Sequence, residues 1–146
     1  MTKQRLEKDF AQILKTTDDI WWMKIYHIAG AYTDVPGDFL MTNHNNFFLI
    51  ECKECRNKSF VFSRLTQKYK LLDFEKCNRN KSFVVICFWE GSKKKSLYFV
   101  VPIIKMVRFM NSITKKSANV NDFKTHLSNY LYDYDTLIKG ILRDDY

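Results

Sequence analysis

Two stretches decide how this chain is read: Pro36-Gly37-Asp38-Phe39-Leu40-Met41-Thr42 and Phe47-Phe48-Leu49-Ile50-Glu51-Cys52-Lys53, separated by Asn43-His44-Asn45-Asn46. Both are apolar and β-prone, and the Asn-rich piece between them is turn chemistry, so the pair predicts a hairpin of strands Asp38–Thr42 and Phe47–Cys52. Side chains alternate faces along a strand, so Glu51 and Lys53 point one way and Cys52 the other. Asp38, across the hairpin, can reach the same face. Two carboxylates and an ammonium then gather at one sheet edge. An acid two residues ahead of a lysine is by itself a weak pattern, usually an exposed ion pair. Here it terminates the apolar run Phe47-Phe48-Leu49-Ile50, and a solvated face would alternate more.

That residue set suits Mg²⁺-dependent phosphodiester hydrolysis. Mg²⁺ takes hard oxygen ligands, commonly one or two carboxylates completed by waters and phosphate. Such ions relieve charge on the phosphate and orient an attacking water. Asp38 and Glu51 are the candidate ligands, and the Cys52 carbonyl is a third oxygen. Lys53 would position the water or stabilise the crowded phosphate.

Outward from the hairpin, Gln4 to Lys15 carries Leu6, Phe10, Ile13 and Leu14 at helical spacing. Ile20 to Ile28 reads as a strand or extended run, and Ala29 to Gly37 as a loop. Glu54 to Ser63 reads as a polar connection, and Arg64 to Cys77 as helical. Ser82 to Trp89 is nearly all apolar, as in a strand buried on both faces. Leu97 to Val101 is a further strand, Ile103 to Ile113 a helix and Thr114 to Val120 a polar loop. A last helix is expected after Asn121, with Phe123, Leu127, Leu131 and Tyr134 along it. This order predicts an α/β fold, a mixed sheet flanked by helices, in one domain spanning residues 1–146.

Composition narrows the partners. The chain has 146 residues, a formal charge of +8 and 46% hydrophobic residues, with twelve Phe, eight Tyr and three Trp. The basic balance favours a polyanion, nucleic acid above all. A Lys-rich genomic bias would give the same charge. No apolar run is long enough to span a bilayer, and no apolar stretch follows Met1-Thr2-Lys3-Gln4-Arg5, so neither membrane span nor secretory signal is expected. An intracellular, nucleoid-associated protein is expected, with Cys52, Cys55, Cys77 and Cys87 as reduced structural thiols. Cys52-Lys53-Glu54-Cys55 spells C-x-x-C, but no second pair stands at zinc-binding spacing. No Gly-rich phosphate loop, G-x-S-x-G or H-E-x-x-H occurs, which removes the common nucleotide-binding, serine-hydrolase and metalloprotease readings.

From about Pro36 to Pro102 the chain resembles the RecU-like and archaeal-type Holliday junction resolvases of the PD-(D/E)XK nuclease superfamily. Pro36-Gly37-Asp38-Phe39 resembles the segment bearing the first metal acid of that family. Ile50-Glu51-Cys52-Lys53-Glu54 resembles its acid-x-Lys strand. Asn57-Lys58-Ser59-Phe60 and Leu65-Thr66-Gln67 are similar to its basic loop and glutamine-bearing helix, and Tyr98-Phe99-Val100-Val101-Pro102 to its closing strand. The resemblance implies a restriction-endonuclease-like core and catalytic residues Asp38, Glu51, Lys53 and Gln67. It implies metal ligation by Asp38, Glu51 and Cys52, with Glu7 as an added acid. Thr66 stands where the family often has histidine. The hairpin joining Asp38 to Glu51 leaves no room for the RecU stalk, so the chain looks like a compact archaeal-type or phage-borne version.

For Gln67 and Glu7, a solvated helical glutamine and a first-turn acid that complements the helix dipole are the plain alternatives. Lys58, Ser59, Arg64 and Lys68 follow the acid–lysine strand and are the residue mix that holds backbone phosphates. A solvated face explains Lys68 as well, and Lys93-Lys94-Lys95 reads as a solubilising turn. The function expected is symmetric nicking of four-way DNA junctions by a homodimer, with Mg²⁺ as cofactor and Mn²⁺ as substitute. Met106, Phe109 and Tyr130 are candidates for the dimer interface. The alternatives are another restriction or repair endonuclease of the same superfamily, or a non-catalytic basic nucleic-acid-binding module.

Overall fold

The protein is described by a computed structural model over residues 5–26 and 36–143. His27 and most of the expected Ala29–Gly37 loop lie outside the described residues, as does the end of the extended run at Ile28.

Helix α1 (Arg5–Lys15) buries Leu6, Phe10 and Leu14, the stripe its periodicity predicts. Strand β1 (Trp21–Lys24) pairs antiparallel with β2 (Phe39–Thr42), and β2 with β3 (Phe47–Cys55). The hairpin turn is held by Asn43 Oδ1, which accepts the amides of Asn45 and Asn46, both at 2.8 Å. A crossover carries β4 (Ser59–Val61), a short 3₁₀ turn and helix α2 (Lys68–Phe74), and returns as β5 (Asn80–Phe88), parallel to β3. β6 (Leu97–Pro102) runs antiparallel to β5 and passes directly into α3 (Ile103–Ser112). β7 (Ser117–Asn119), α4 (Val120–His126), β8 (Leu131–Tyr132) and α5 (Leu137–Leu142) complete the chain. The main sheet has the order β1-β2-β3-β5-β6-β8, and β4 and β7 form a small second sheet.

The sheet separates two apolar layers. Phe48, Ile50, Cys52, Val85 and Val100 face α1 and α5, meeting Leu6, Phe10, Leu137 and Ile141. Leu49, Cys55, Val84, Ile86 and Phe99 face the other way, toward Leu71, Met106, Phe109 and Phe123. Central strands covered on both sides require continuous apolar sequence, and the seven residues Ser82–Phe88 are all buried.

Several expectations need correcting. The helix expected after Asn121 is α4, capped by Asn119, and it is followed by a further helix, α5: the Asn119 side chain accepts the Asp122 amide and the Asp122 carboxylate accepts that of Asn119. α4 stops at His126, and Leu131 joins the sheet edge opposite Phe99 instead of continuing the helix. The Thr114–Val120 loop contains β7, which pairs with β4; alternation over three residues is too short to read from sequence. The Arg64–Cys77 helix is confined to Lys68–Phe74. Met106 and Phe109 lie in the core, so neither is available to a partner surface.

Candidate active site

Asp38 is fixed before β2 begins. Its amide donates to the Ile50 carbonyl at 2.8 Å, and its carbonyl accepts the Ile25 amide at 2.8 Å. Gly37 permits this approach, because a Cβ there would lie 3.0 Å from a Leu49 methyl carbon and 3.1 Å from the Ile50 oxygen. β2 pairs with β3 only as far as Phe39 opposite Ile50. Beyond that point the Cys52 amide meets the Asp38 side chain instead of a strand, donating to Oδ2 at 2.8 Å. A residue's N–H and C=O point to the same side of an antiparallel strand. The Cys52 carbonyl therefore opens onto the same gap.

Glu51 lies between Leu49 and Lys53 on the face that packs toward α2 and α3, and it is 2% exposed. Its Oε2 lies 3.0 Å from Lys53 Nζ. Its Oε1 is buried without a hydrogen-bond partner. Burial, then repulsion from Asp38, pushes the Glu51 carboxyl up to about 8, against the pull of Lys53. Glu51 therefore holds its proton more tightly than a free glutamate does.

Glu7, in the first turn of α1, lies beside this pair. Its carboxylate is 3.2 Å from Lys24 Nζ. Burial and the Asp38 charge raise its pKa, while Lys24 and Lys53 lower it. Gln67 caps the start of α2, and its Oε1 is a second buried oxygen without a partner. No hydrogen bond among the described residues links it to Glu51 or Lys53.

The structure brings Asp38, Glu51, Cys52 and Lys53 together, with Glu7 adjacent. The expected phosphate-binding residues lie farther along the crossover. Lys58 is exposed at a left-handed φ of 62° and sits 4.0 Å from Glu90. Ser59 opens β4. Arg64 folds back, its Nη1 3.8 Å from Cys55 Sγ and its guanidinium over the Phe60 ring. Lys68 lies over Tyr69 at 5.2 Å. His44 is in the turn at the opposite end of β2 from Asp38.

Among the described residues, no three His, Cys, Asp or Glu side chains form a ready cation cage. The fit to Mg²⁺ rests instead on the Asp38 and Glu51 carboxylates, one of whose oxygens, Glu51 Oε1, is unpartnered, and on the Cys52 carbonyl. Such a hard-oxygen set is the donor chemistry that Mg²⁺ prefers. The C-x-x-C pair does not make a zinc site: Cys52 and Cys55 are buried on opposite faces of the sheet, with burial raising both thiol pKa values.

Sequence reasoning missed two participants. Lys24, the charge that ends β1, is the counter-ion of Glu7; a lone cation inside the apolar run Ile20–Ile28 was the available signal. Glu54 lies on the face opposite Lys53, and its Oε1 accepts the Leu6 amide at 3.1 Å, which ties the start of α1 to β3. Nothing in the local sequence announces that contact, because its partner is 48 residues away.

A mixed sheet with helices on both faces is the restriction-endonuclease-like fold. Among solved structures, the chain is similar to Hjc, a Holliday junction resolvase from the archaeal hyperthermophile Archaeoglobus fulgidus. The TM-score is 0.57 and the identity 13%, covering 85% of this chain and 93% of that one. The likeness is to the archaeal resolvase fold and does not single out the RecU-like group. No protein-family model and no curated protein matches the sequence. Among the described residues, no helix is long and apolar enough to cross a membrane.

Proposed function

We propose that this protein is a Mg²⁺-dependent endonuclease that cuts branched DNA, a four-way-junction resolvase of the compact archaeal type. The observation that carries the reading is the buried Glu51 carboxylate, which has one oxygen on Lys53 and the other unpartnered, next to an Asp38 anchored by the Cys52 amide. A buried ionisable pair with no complete set of partners is costly to fold, and such costs concentrate at functional sites. The likeness to Hjc supports the same reading through the fold.

Asp38, Glu51 and the Cys52 carbonyl would hold the ion, with Glu7 beside them. Bound Mg²⁺, or Mn²⁺ in its place, would neutralise charge on the scissile phosphate and make a bound water more acidic. Lys53 holds Glu51 in orientation through its ammonium and presents the remaining N–H groups to a phosphate oxygen or the attacking water. Gln67 offers its buried carbonyl oxygen as an acceptor for a water proton. Lys58, Ser59, Arg64 and Lys68 would hold flanking backbone. A four-way junction is nearly two-fold symmetric, so a homodimer would present two sites to two strands. The place of action is intracellular, on the nucleoid.

The test is cleavage of a synthetic four-way junction and a matched linear duplex with Mg²⁺, Mn²⁺ or chelator. Paired nicks in opposite strands of the junction are expected, lost with chelator and reduced at least ~100-fold in D38N and E51Q. Cutting by E51Q at the parent rate overturns the site. Cutting of the linear duplex at one short sequence makes the protein a restriction or repair endonuclease. Salt-sensitive DNA binding without cutting makes it a binding module.

A further inference from the structure

Beyond the carboxylates, the end of β3 and the start of α1 converge on Trp89, the residue that follows β5. The Arg5 guanidinium carbon lies 4.6 Å from the Trp89 ring centroid, and that of Arg56 lies 5.0 Å from it. Two cations on one indole repel each other, and each exposed cation–π contact returns only about 0.5–1 kcal/mol. One carboxylate organises them. Glu54 accepts from Arg56 Nε with one oxygen and from the Leu6 amide with the other. Among the described residues Arg5 has no ion-pair partner, and the Nη groups of Arg56 carry no hydrogen bond. Asp9 and the Lys58–Glu90 pair are the other charges in this region.

We propose that Arg5, Arg56 and Trp89 form a second phosphate-binding site, which grips the DNA backbone at a distance from the scissile bond. The choice of DNA as ligand rests on the function proposed above. A guanidinium held over a ring loses little freedom and keeps N–H groups in a fork that matches phosphate oxygens. A phosphate taking N–H groups from both guanidinium edges would relieve their repulsion, so the site is complementary to an anion. Glu54, Arg56 and Trp89 lie on the α1 side of the sheet, opposite the face of Glu51 and Lys53 but at the same end of β3. Arg56 lies three residues beyond Lys53, about 10 Å along an extended chain. Arg5 precedes Glu7 by two residues, so the first turn of α1 links the two sites. Arg5 and Arg56 would fix the distance between the scissile bond and the next gripped phosphate.

The test uses the full chain in chelator, where binding is read without cutting. The dissociation constant for a four-way junction and for linear duplex is measured from about 50 to 200 mM salt for the parent, R5Q, R56Q and the double variant. Each single change should weaken binding roughly 5- to 10-fold and lower the salt slope by about one, because one phosphate contact is lost. R5K/R56K, which keeps the charge and loses the fork, guards against a folding artefact. It should keep the slope and bind roughly 2- to 5-fold more weakly, as should W89L, while W89F stays near the parent. Parental affinity and slope in both R5Q/R56Q and R5K/R56K overturn the proposal. Inorganic phosphate that quenches tryptophan fluorescence through Arg5 and Arg56, with DNA affinity unchanged in their absence, assigns the site to free phosphate and overturns the DNA assignment. If the arginine dependence appears but the parent cuts no DNA, the second site stands and the proposed nuclease activity fails. If the parent cuts junctions and the arginine variants bind like it, only the second site fails.

Discussion

The Cys52 amide donates to Asp38 Oδ2 at 2.8 Å, in the place where a sheet would put the next carbonyl of β2. One carboxylate therefore continues the β2–β3 ladder and also faces Glu51. The two roles separate on mutation. D38N retains an oxygen that can accept the Cys52 amide, whereas D38A leaves that amide unpaired in a part-buried site. D38A should lose about 1–3 kcal/mol of stability in a urea titration, and D38N less than half of that. Both should abolish cutting. Equal stability of the two variants would show that the amide bond contributes little.

Glu51 makes stability depend on pH in a defined direction. Its folded pKa, near 8, stands above the usual glutamate value of 4.5. The folded state therefore binds this proton more tightly than the unfolded chain does. The contribution is fully present below about 4.5 and is lost as pH rises through about 8. E51Q, which cannot ionise, should gain on the parent across that window by up to ~1.4 kcal/mol per pH unit. Chemical denaturation of both proteins at pH 5, 6.5 and 8 measures the gap, and a constant difference would refute the shift. Mg²⁺ should raise the melting temperature of the parent at pH 8 and leave that of E51Q unchanged, since a ligand stabilises only the state that binds it.

Lys53 determines where that loss stops. Its ammonium, 3.0 Å from Glu51 Oε2, lowers the carboxyl pKa against burial. In K53M the proton should be held to still higher pH. Parent stability should then level off above about pH 8, while that of K53M continues to fall. Near pH 5, where Glu51 is protonated in both, the two should differ by only about 1 kcal/mol. Parallel curves from pH 5 to 9.5 would show that the pair does not interact as its geometry requires. K53R keeps the charge and should restore the levelling, but not the cutting rate, because a planar fork cannot take the position of a compact ammonium.

How much was legible in the sequence follows from where each constraint lies. The hairpin, the buried β5 and the face shared by Glu51 and Lys53 were readable because alternation and apolar runs are local signals. The depth of Glu51 was not fully readable. Four charges from Glu51 to Arg56 look like a strand end, yet β3 continues to Cys55 because Glu54 is used by the α1 amide and Cys55 by the core. The end of α4 was misjudged because Leu131 keeps helical spacing from Phe123 and Leu127 while tertiary pairing draws it into the sheet. Trp89 and Arg5 carried no signal, since their meeting depends on the packing of α1 over the sheet.

Gly37 gives a test that touches no charge. It sets the close approach from which Asp38 donates to Ile50, and a methyl group there would meet both the Leu49 side chain and the Ile50 oxygen. Leu49 could shift by a few tenths of an ångström, but the strand carbonyl could not do so without loosening the Asp38 bond. G37A should therefore cost roughly 1–3 kcal/mol, as overpacking does. It should also move Asp38 away from Glu51 and lower the Glu51 pKa by relieving their repulsion, shifting the pH-dependent loss of stability to lower pH. A stability titration of G37A against pH tests both effects. A destabilised G37A that keeps the parental pH window would mean that Gly37 serves packing alone and that another contact sets the carboxylate geometry.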